Sequence, residues 1–177
     1  LLLFHFVVAG LVDKRNPLRL LSNMLPAYFM GLGTSSSAAT IPVTLAQVKR
    51  NGVSDDVASF VVPLCATIHL SGSMLKIVSC ALALILMSGG VYNVSLFTEF
   101  ILILAITMVA APGVPGGAIM AALAVLQSVL GFNEEQLALM VSLYIAMDSF
   151  GTACNVTGDG AIAVIVNRLQ GKKFKES

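Results

Sequence analysis

The apolar stretches of this chain reach the length of a bilayer only when short polar interruptions are counted within them, and this limits the fold more than any other feature. Val57 to Met87 is long enough to cross with tilt, where about 20 apolar residues are needed, yet His69, Ser71, Gly72, Ser73 and Lys76 fall inside it. Leu137 to Val166 is interrupted in the same way from Asp148 to Gly160. Two further regions are pairs of short arms. Leu18 to Leu32 and Thr40 to Val48 flank the small polar run Gly33 to Ala39, and Phe100 to Val109 and Ala118 to Leu130 flank Ala-Ala-Pro-Gly-Val-Pro-Gly-Gly, Ala110 to Gly117. Lipid cannot satisfy unpaired backbone groups, so irregular backbone at membrane depth persists only where protein or a cavity covers it. A soluble domain is excluded by composition: 57% of the residues are apolar and 11% charged, against about 25% charged in globular chains, and mean hydropathy is +0.92.

Charge placement supplies the topology. Nine of the ten basic residues fall in three places: Lys14, Arg15 and Arg19; Lys49 and Arg50; and Arg168, Lys172, Lys173 and Lys175. The linkers Tyr92 to Glu99 and Gly131 to Gln136 carry only Glu99, Glu134 and Glu135. The positive-inside rule puts the three basic regions in the cytoplasm, the C-terminus among them, and the acidic linkers outside. Residues 17–50 then form a re-entrant hairpin entering from the cytoplasm with Ser35, Ser36 and Ser37 at its tip. Residues 54–89 form a broken span, 96–131 a second re-entrant hairpin entering from outside, 136–170 a second broken span, and 171–177 a basic tail. Residues 1–12 read as the end of a truncated helix, with an N-terminal part expected to be missing. The fold class is an all-α membrane protein built on an inverted repeat, hairpin plus broken helix, twice. Inverted repeats with helices broken at matching positions point to a transporter with a midplane binding site. Cys65, Cys80 and Cys154 lack metal-ligand or disulfide spacing and read as small packing residues.

Three ionised groups lie well inside apolar spans: Lys76, Asp148 and Asp159. Each is costly there unless paired or facing a cavity, so each is a functional candidate. Asp148, Thr152, Asn155 and Asp159 are four, three and four residues apart, which puts them on one helical face. Carboxylate and amide oxygens are hard ligands for a Na⁺-like cation, and an aspartate can also pair with a substrate ammonium; the plain alternative is a polar stripe that joins helices. His69, Ser73 and Lys76, spaced four and three apart, likewise share a face. Lys76 either neutralises Asp148 or Asp159 or snorkels to an interface. His69 either carries a proton or hydrogen-bonds within the broken helix. The serine tip offers hydroxyls and backbone amides suited to a carboxylate, and Gly113, Pro115, Gly116 and Gly117 make the other tip a gate or a simple turn.

Together these motifs resemble the dicarboxylate/amino acid:cation symporters, the family that includes excitatory glutamate transporters. The resemblance rests on Ser-Ser-Ser-Ala-Ala-Thr-Ile-Pro at Ser35 to Pro42, Ala-Pro-Gly-Val-Pro-Gly-Gly at Ala111 to Gly117, and Asp148 followed by Asn-Val-Thr-Gly-Asp at Asn155 to Asp159. It covers essentially the whole chain but only the C-terminal half of a family member. It implies a homotrimer in which a transport domain slides, elevator-like, against a scaffold absent from this sequence. Ser36, Ser37, Val114, Asp148, Thr152 and Asn155 would face the substrate, Asp148 on its amino group, with Ser73 and Gly151 beside them. Asp159 with backbone oxygens of Cys65, His69 and Asn155 would hold one Na⁺, and Thr67 with backbone at Met108, Val109 and Ala111 a second. Three departures stand out. His69-Leu70-Ser71-Gly72-Ser73 replaces the family's Asn-Met-Asp-Gly-Thr and so lacks a carboxylate, with Lys76 five residues beyond it. Gly151 stands where acidic-substrate members carry arginine, and the second tip is one residue short.

The expected function is therefore Na⁺-coupled transport of a small amino acid, neutral rather than acidic because no guanidinium is present to clamp a side-chain carboxylate. The alternative is a proton-coupled or cation-independent exchanger of amino acids or carboxylates in which Lys76 or His69 replaces a sodium site. A non-transporting fragment and an intramembrane hydrolase are the remote readings; no nucleophile and base stand at a catalytic spacing, so no enzyme is expected. The expected setting is the cell membrane, multi-pass, with the lipid bilayer and a small-molecule amino acid or carboxylate as partners and no nucleic acid.

Overall fold

The computed structural model describes residues 1–173; the end of the expected basic tail, residues 174–177 with Lys175, lies outside the described residues. Within them the chain forms ten helices and no strand: α1 (Leu2–Asp13), α2 (Pro17–Asn23), α3 (Leu25–Thr34), α4 (Ser37–Arg50), α5 (Asp55–Ile68), α6 (Ser71–Met87), α7 (Val94–Met108), α8 (Gly117–Leu130), α9 (Glu134–Ala146) and α10 (Asp148–Lys173). Local chemistry accounts for the boundaries. The Asn16 side chain accepts from the N–H groups of Leu18 and Arg19, and Pro17 opens α2 where its missing N–H is not needed. Ser35 ends α3 in the left-handed region, and Ser36 caps α4 by accepting from the Ala39 N–H. Asn93 caps α7, and Asn133 and Gln136 form a reciprocal capping box on α9.

α3 packs on α4 and α7 on α8, each pair joined by a short non-helical tip. Two residues, His69 and Leu70, separate α5 from α6, and Met147 alone separates α9 from α10. The helix that follows each break then packs with the opposite half of the chain. α6 lies against α7, α8 and α9 in a core that includes Ile77, Phe100, Leu104, Ile119, Met140 and Tyr144. α10 lies against α1, α3, α4 and α5 in a second core that includes Phe6, Met24, Val48, Val62, Val156 and Val164. The two cores meet where α6 touches α10.

Polarity is distributed as a bilayer requires. Phe4, Leu11, Phe29, Phe60, Ile106 and Met120 are exposed, whereas Asp148, Thr152, Asn155 and Asp159 are buried. An exterior this apolar suits lipid or further protein rather than water. Asp55–Met87, taken through its break, and Asp148–Gly171 are each long and apolar enough to cross a membrane.

Two local expectations are corrected. The interruption expected from Asp148 to Gly160 is confined to Met147, and α10 runs unbroken from Asp148. Asp148, Asn155 and Asp159 find partners on neighbouring elements, and its glycines serve close packing: a Cβ at Gly158 would stand 2.6 Å from His69 Cε1. His69 also drops out of the helical face expected for His69, Ser73 and Lys76, because it lies in the break before α6 begins at Ser71.

Close approach at the α6–α10 contact gives a stability prediction. A Cβ at Gly72 would lie 2.6 Å from Cys154 Cβ and 2.7 Å from the Gly151 carbonyl oxygen, so Gly72→Val is expected to destabilise by about 1–3 kcal/mol. Gly33 has nothing within 4 Å of its Cβ position, so Gly33→Ala is expected to be neutral or to stabilise by up to about 1 kcal/mol. Thermal unfolding of the full-length protein in detergent checks the pair; an unchanged melting temperature for Gly72→Val would contradict the contact.

Candidate functional site

The break between α5 and α6 leaves the first N–H groups of α6 without helical partners, and α10 supplies one. Asn155 Oδ1 accepts from the Gly72 N–H at 2.8 Å and the Ser73 N–H at 3.3 Å, and Asn155 Nδ2 donates to Ser73 Oγ at 2.9 Å. Asn155 is thus an N-cap provided by a different helix. On the other side of the break, the His69 N–H donates to the Cys65 carbonyl and closes α5.

One turn along α6 and two turns along α10 from this cap lies a pair of opposite charges. Lys76 Nζ sits 3.4 Å from Asp148 Oδ1, with both side chains more than nine-tenths buried. It also donates to the Tyr144 carbonyl at 3.2 Å and stands 3.4 Å from the centroid of the Tyr144 ring. The break at Met147 makes this possible: the Tyr144 carbonyl accepts a short-turn bond from the Met147 N–H rather than carrying α9 onward, and keeps a lone pair for the ammonium. In the opposite direction, Asp159 Oδ1 lies 2.8 Å from His69 Nδ1, and His69 Nε2 lies 2.9 Å from Ser71 Oγ. Asp159, Asn155 and Asp148 therefore meet His69, Gly72 with Ser73, and Lys76 in antiparallel order.

Both tips converge on this ladder. The Gly113 carbonyl of the α7–α8 tip accepts from Ser36 Oγ at 3.1 Å and from the Ala38 N–H at 3.2 Å. The Gly116 N–H donates to Asp148 Oδ2 at 2.7 Å, and Gly116 itself takes φ 73°, a backbone that suits glycine. Between the tips, the start of α6 and α10 lies a narrow cleft of about 10 Å³, the room of a single water. Ser37, Ser73, Val114, Asp148, Thr152 and Asn155 line it, as do Gly113 and Tyr144, whereas Ser36 and Gly151 are outside its lining. Asp148 is the one charged group in that lining. An ammonium in the cleft would find this carboxylate, and small polar groups would find the hydroxyls of Ser37, Ser73 and Thr152.

The residues named for sodium are less uniformly assembled. Asp159 is fully buried, with His69 on one oxygen. The Cys65 carbonyl accepts from His69, and the Met108 carbonyl accepts from the Ala111 N–H. Thr67 is exposed, and its hydroxyl donates back to Leu64 of its own helix. Met108 and Ala111 are buried while Val109 is exposed. Two residues went unused in the sequence reading. Tyr144 precedes Asp148 by one turn and extends the polar stripe backward, a spacing that could have flagged it. His5, on α1, lies 5.4 Å from His69 between ring centroids, and its buried Nδ1 has no hydrogen-bond partner; nothing in its local sequence signals that proximity.

Residues 1–169 match the sodium:dicarboxylate symporter family. The chain is similar to excitatory amino acid transporter 2 of Homo sapiens, 32% identical over 168 residues that cover 94% of this chain and 28% of that protein. It is 30% identical to excitatory amino acid transporter 1 of Homo sapiens over 180 residues, 98% of this chain and 33% of the relative. To excitatory amino acid transporter 5 of Mus musculus it is 32% identical over 171 residues, 94% of this chain and 30% of the relative. The chain spans about a third or less of the length of these curated relatives. Because the matched stretch takes in both tips, the broken helix and the buried aspartates of α10, the chain belongs to the sodium:dicarboxylate symporter family.

Proposed function

We propose that this chain is the transport-domain core of a secondary transporter that carries a small neutral amino acid across the cell membrane, coupled to Na⁺. The observation that supports this reading best is the cleft closed by two tips over one buried carboxylate, Asp148. Asp148 takes the substrate ammonium. Ser36, Ser37 and the backbone at Val114 take its carboxylate, and Ser73, Thr152 and Asn155 complete the contacts. The cleft lining contains no lysine or arginine and Gly151 has no side chain to send there, which favours a neutral substrate within a family described by dicarboxylates.

The domain plan follows. α3–α4 (within 17–50) and α7–α8 (over 96–131, with α7 starting at Val94) are re-entrant hairpins entering from opposite sides, and α5–α6 (within 54–89) and α9–α10 (over 136–170, with the helices running from Glu134 to Lys173) are broken spans. The reciprocal packing of α6 and α10 into opposite halves supports an inverted repeat. Gly113, Pro115, Gly116 and Gly117 form the gate, the core moves elevator-like as one body, and three copies assemble through the remainder of the protein. The basic ends lie in the cytoplasm.

Na⁺ is carried at Asp159 with backbone oxygens of Cys65, His69 and Asn155, and at Thr67 with Met108, Val109 and Ala111. A second reading is favoured by one contact, His69 Nδ1 on Asp159 Oδ1: a protonated imidazole there takes the place of the cation and makes transport proton-coupled.

Three outcomes are expected with the full-length protein in liposomes. Replacing external Na⁺ by choline lowers uptake at least tenfold at both pH 6 and pH 8, on the order of one lost charge-assisted contact; uptake that persists in choline and rises at the lower pH sinks sodium coupling and supports the proton. L-Serine, L-alanine or L-threonine outcompetes L-aspartate; a preference for L-aspartate overturns the neutral substrate. Asp148→Asn weakens amino-acid binding by roughly thirtyfold or more, the effect of removing one partner of a buried charge pair, as read by isothermal calorimetry.

A further inference from the structure

The buried ammonium of Lys76 has no role in the reading above as a lining group of the cleft. It approaches Asp148 from the far side, where it borders a separate apolar depression with Leu75, Phe150 and Gly151. There it is held by three contacts: Asp148 Oδ1, the Tyr144 carbonyl and the Tyr144 ring. A Cβ at Gly151 would stand 3.3 Å from Nζ and from Ser73 Oγ, so any side chain there would push the ammonium aside by a few tenths of an ångström. Asp148 thus presents one oxygen to an ammonium on its own chain while the other holds the tip through the Gly116 N–H.

The geometry points to Lys76 as a tethered counter-ion of Asp148, whose ammonium holds that carboxylate in the substrate-free core and yields it to the ammonium of an incoming amino acid. This rests on the reading that Asp148 receives the substrate's amino group, and adds to it what the site does when no substrate is present. A carboxylate without a partner at membrane depth is costly, so a core emptied of substrate would be trapped unless another cation arrived. A lysine can occupy the vacated oxygen through rotations of its flexible stem, which keeps the pair neutral and leaves the tip bonded to Asp148. The empty core then returns across the membrane without carrying a cation back. Two consequences distinguish this from a lysine that only packs. Removing the ammonium leaves exchange of one amino acid for another intact, because both directions run loaded, but stops net uptake. It also tightens amino-acid binding, because the substrate no longer competes with Lys76.

The test uses the full-length protein in liposomes with labelled L-serine, or labelled L-aspartate if the parent protein prefers it. Net uptake is measured into empty vesicles and exchange into vesicles preloaded with the same unlabelled amino acid. Lys76→Met is expected to lower net uptake at least tenfold, change exchange by less than about threefold and lower Kd by about tenfold, while Lys76→Arg restores net uptake. Loss of both modes together, net uptake that survives in Lys76→Met, or weakened binding overturns the inference. Should Lys76→Met fail to fold, Lys76→Gln is read in the same way. The parent protein gives an independent result: net uptake into vesicles containing only N-methyl-D-glucamine as cation is required, and its absence overturns the inference. A parent protein that moves no amino acid in either mode defeats the proposed function itself, whereas a transporting parent with insensitive Lys76 variants defeats only the counter-ion.

Discussion

Everything near the cleft depends on the hydrogen bonds from the buried start of α6 to Asn155 of α10. A helix that begins inside a membrane has free N–H groups and no water to satisfy them. Asn155 answers two of them with one oxygen, and its amide nitrogen fixes Ser73 in return. The register of α6 against α10 is set by this contact. Once it is set, Asp148 and Lys76 fall opposite one another on one side, and Asp159 and His69 on the other. Gly72 lets the two helices come close enough for the cap to form.

That register also balances charge. Each of the two buried carboxylates of α10 has a nitrogen group from the α5–α6 segment against it, and neither relies on solvent. The two pairs are chemically unlike. The Lys76 amine sits on a flexible stem and shares its carboxylate with the Gly116 N–H of the α7–α8 tip. The His69 imidazole is a planar group held at both nitrogens, by Asp159 and Ser71. The first is suited to exchange with another ammonium. The second stands at the carboxylate proposed for a cation, which is why the coupling ion is a question about His69 and the substrate a question about Asp148.

Much of this was legible in the sequence, for a reason tied to periodicity. Asp148, Thr152, Asn155 and Asp159 repeat at helical spacing, so a single regular helix suffices to align them, and α10 is regular from Asp148 onward. The interruption at His69 was legible as well, because polar residues in an otherwise apolar span advertise it. The break at Met147 was not: methionine is a good helix former, and the break is understood only from the Tyr144 carbonyl it releases to Lys76, a partner 68 residues away in the chain. Pairings of this kind, Asn155 with Gly72 or His5 with His69, are set by how α6, α10 and α1 pack, and no local signal carries them. The polar run after Asp148 misled for the same reason, since Asn155 and Asp159 find their partners beyond their own helix.

The tips and the ladder differ in how firmly they are held. The contact of α10 with α6 and the break before it combines a cap, two carboxylate–nitrogen pairs and close glycine packing in a buried region. The α7–α8 tip is joined to its surroundings by the Gly113 carbonyl and the Gly116 N–H, and bonds of this kind contribute about 1 kcal/mol each when neutral and somewhat more to a charged acceptor. Its residues from Val109 to Gly116 have no helix to hold them in place, and Val114 is half exposed. An opening that breaks these three bonds, two at the Gly113 carbonyl and one at the Gly116 N–H, and leaves the ladder intact is therefore a low-cost movement around the cleft. Of the three bonds, the one to Asp148 is tied to the occupancy of the cleft. Whatever sits on the other oxygen of that carboxylate sets its charge and position, and so decides how firmly the tip is held.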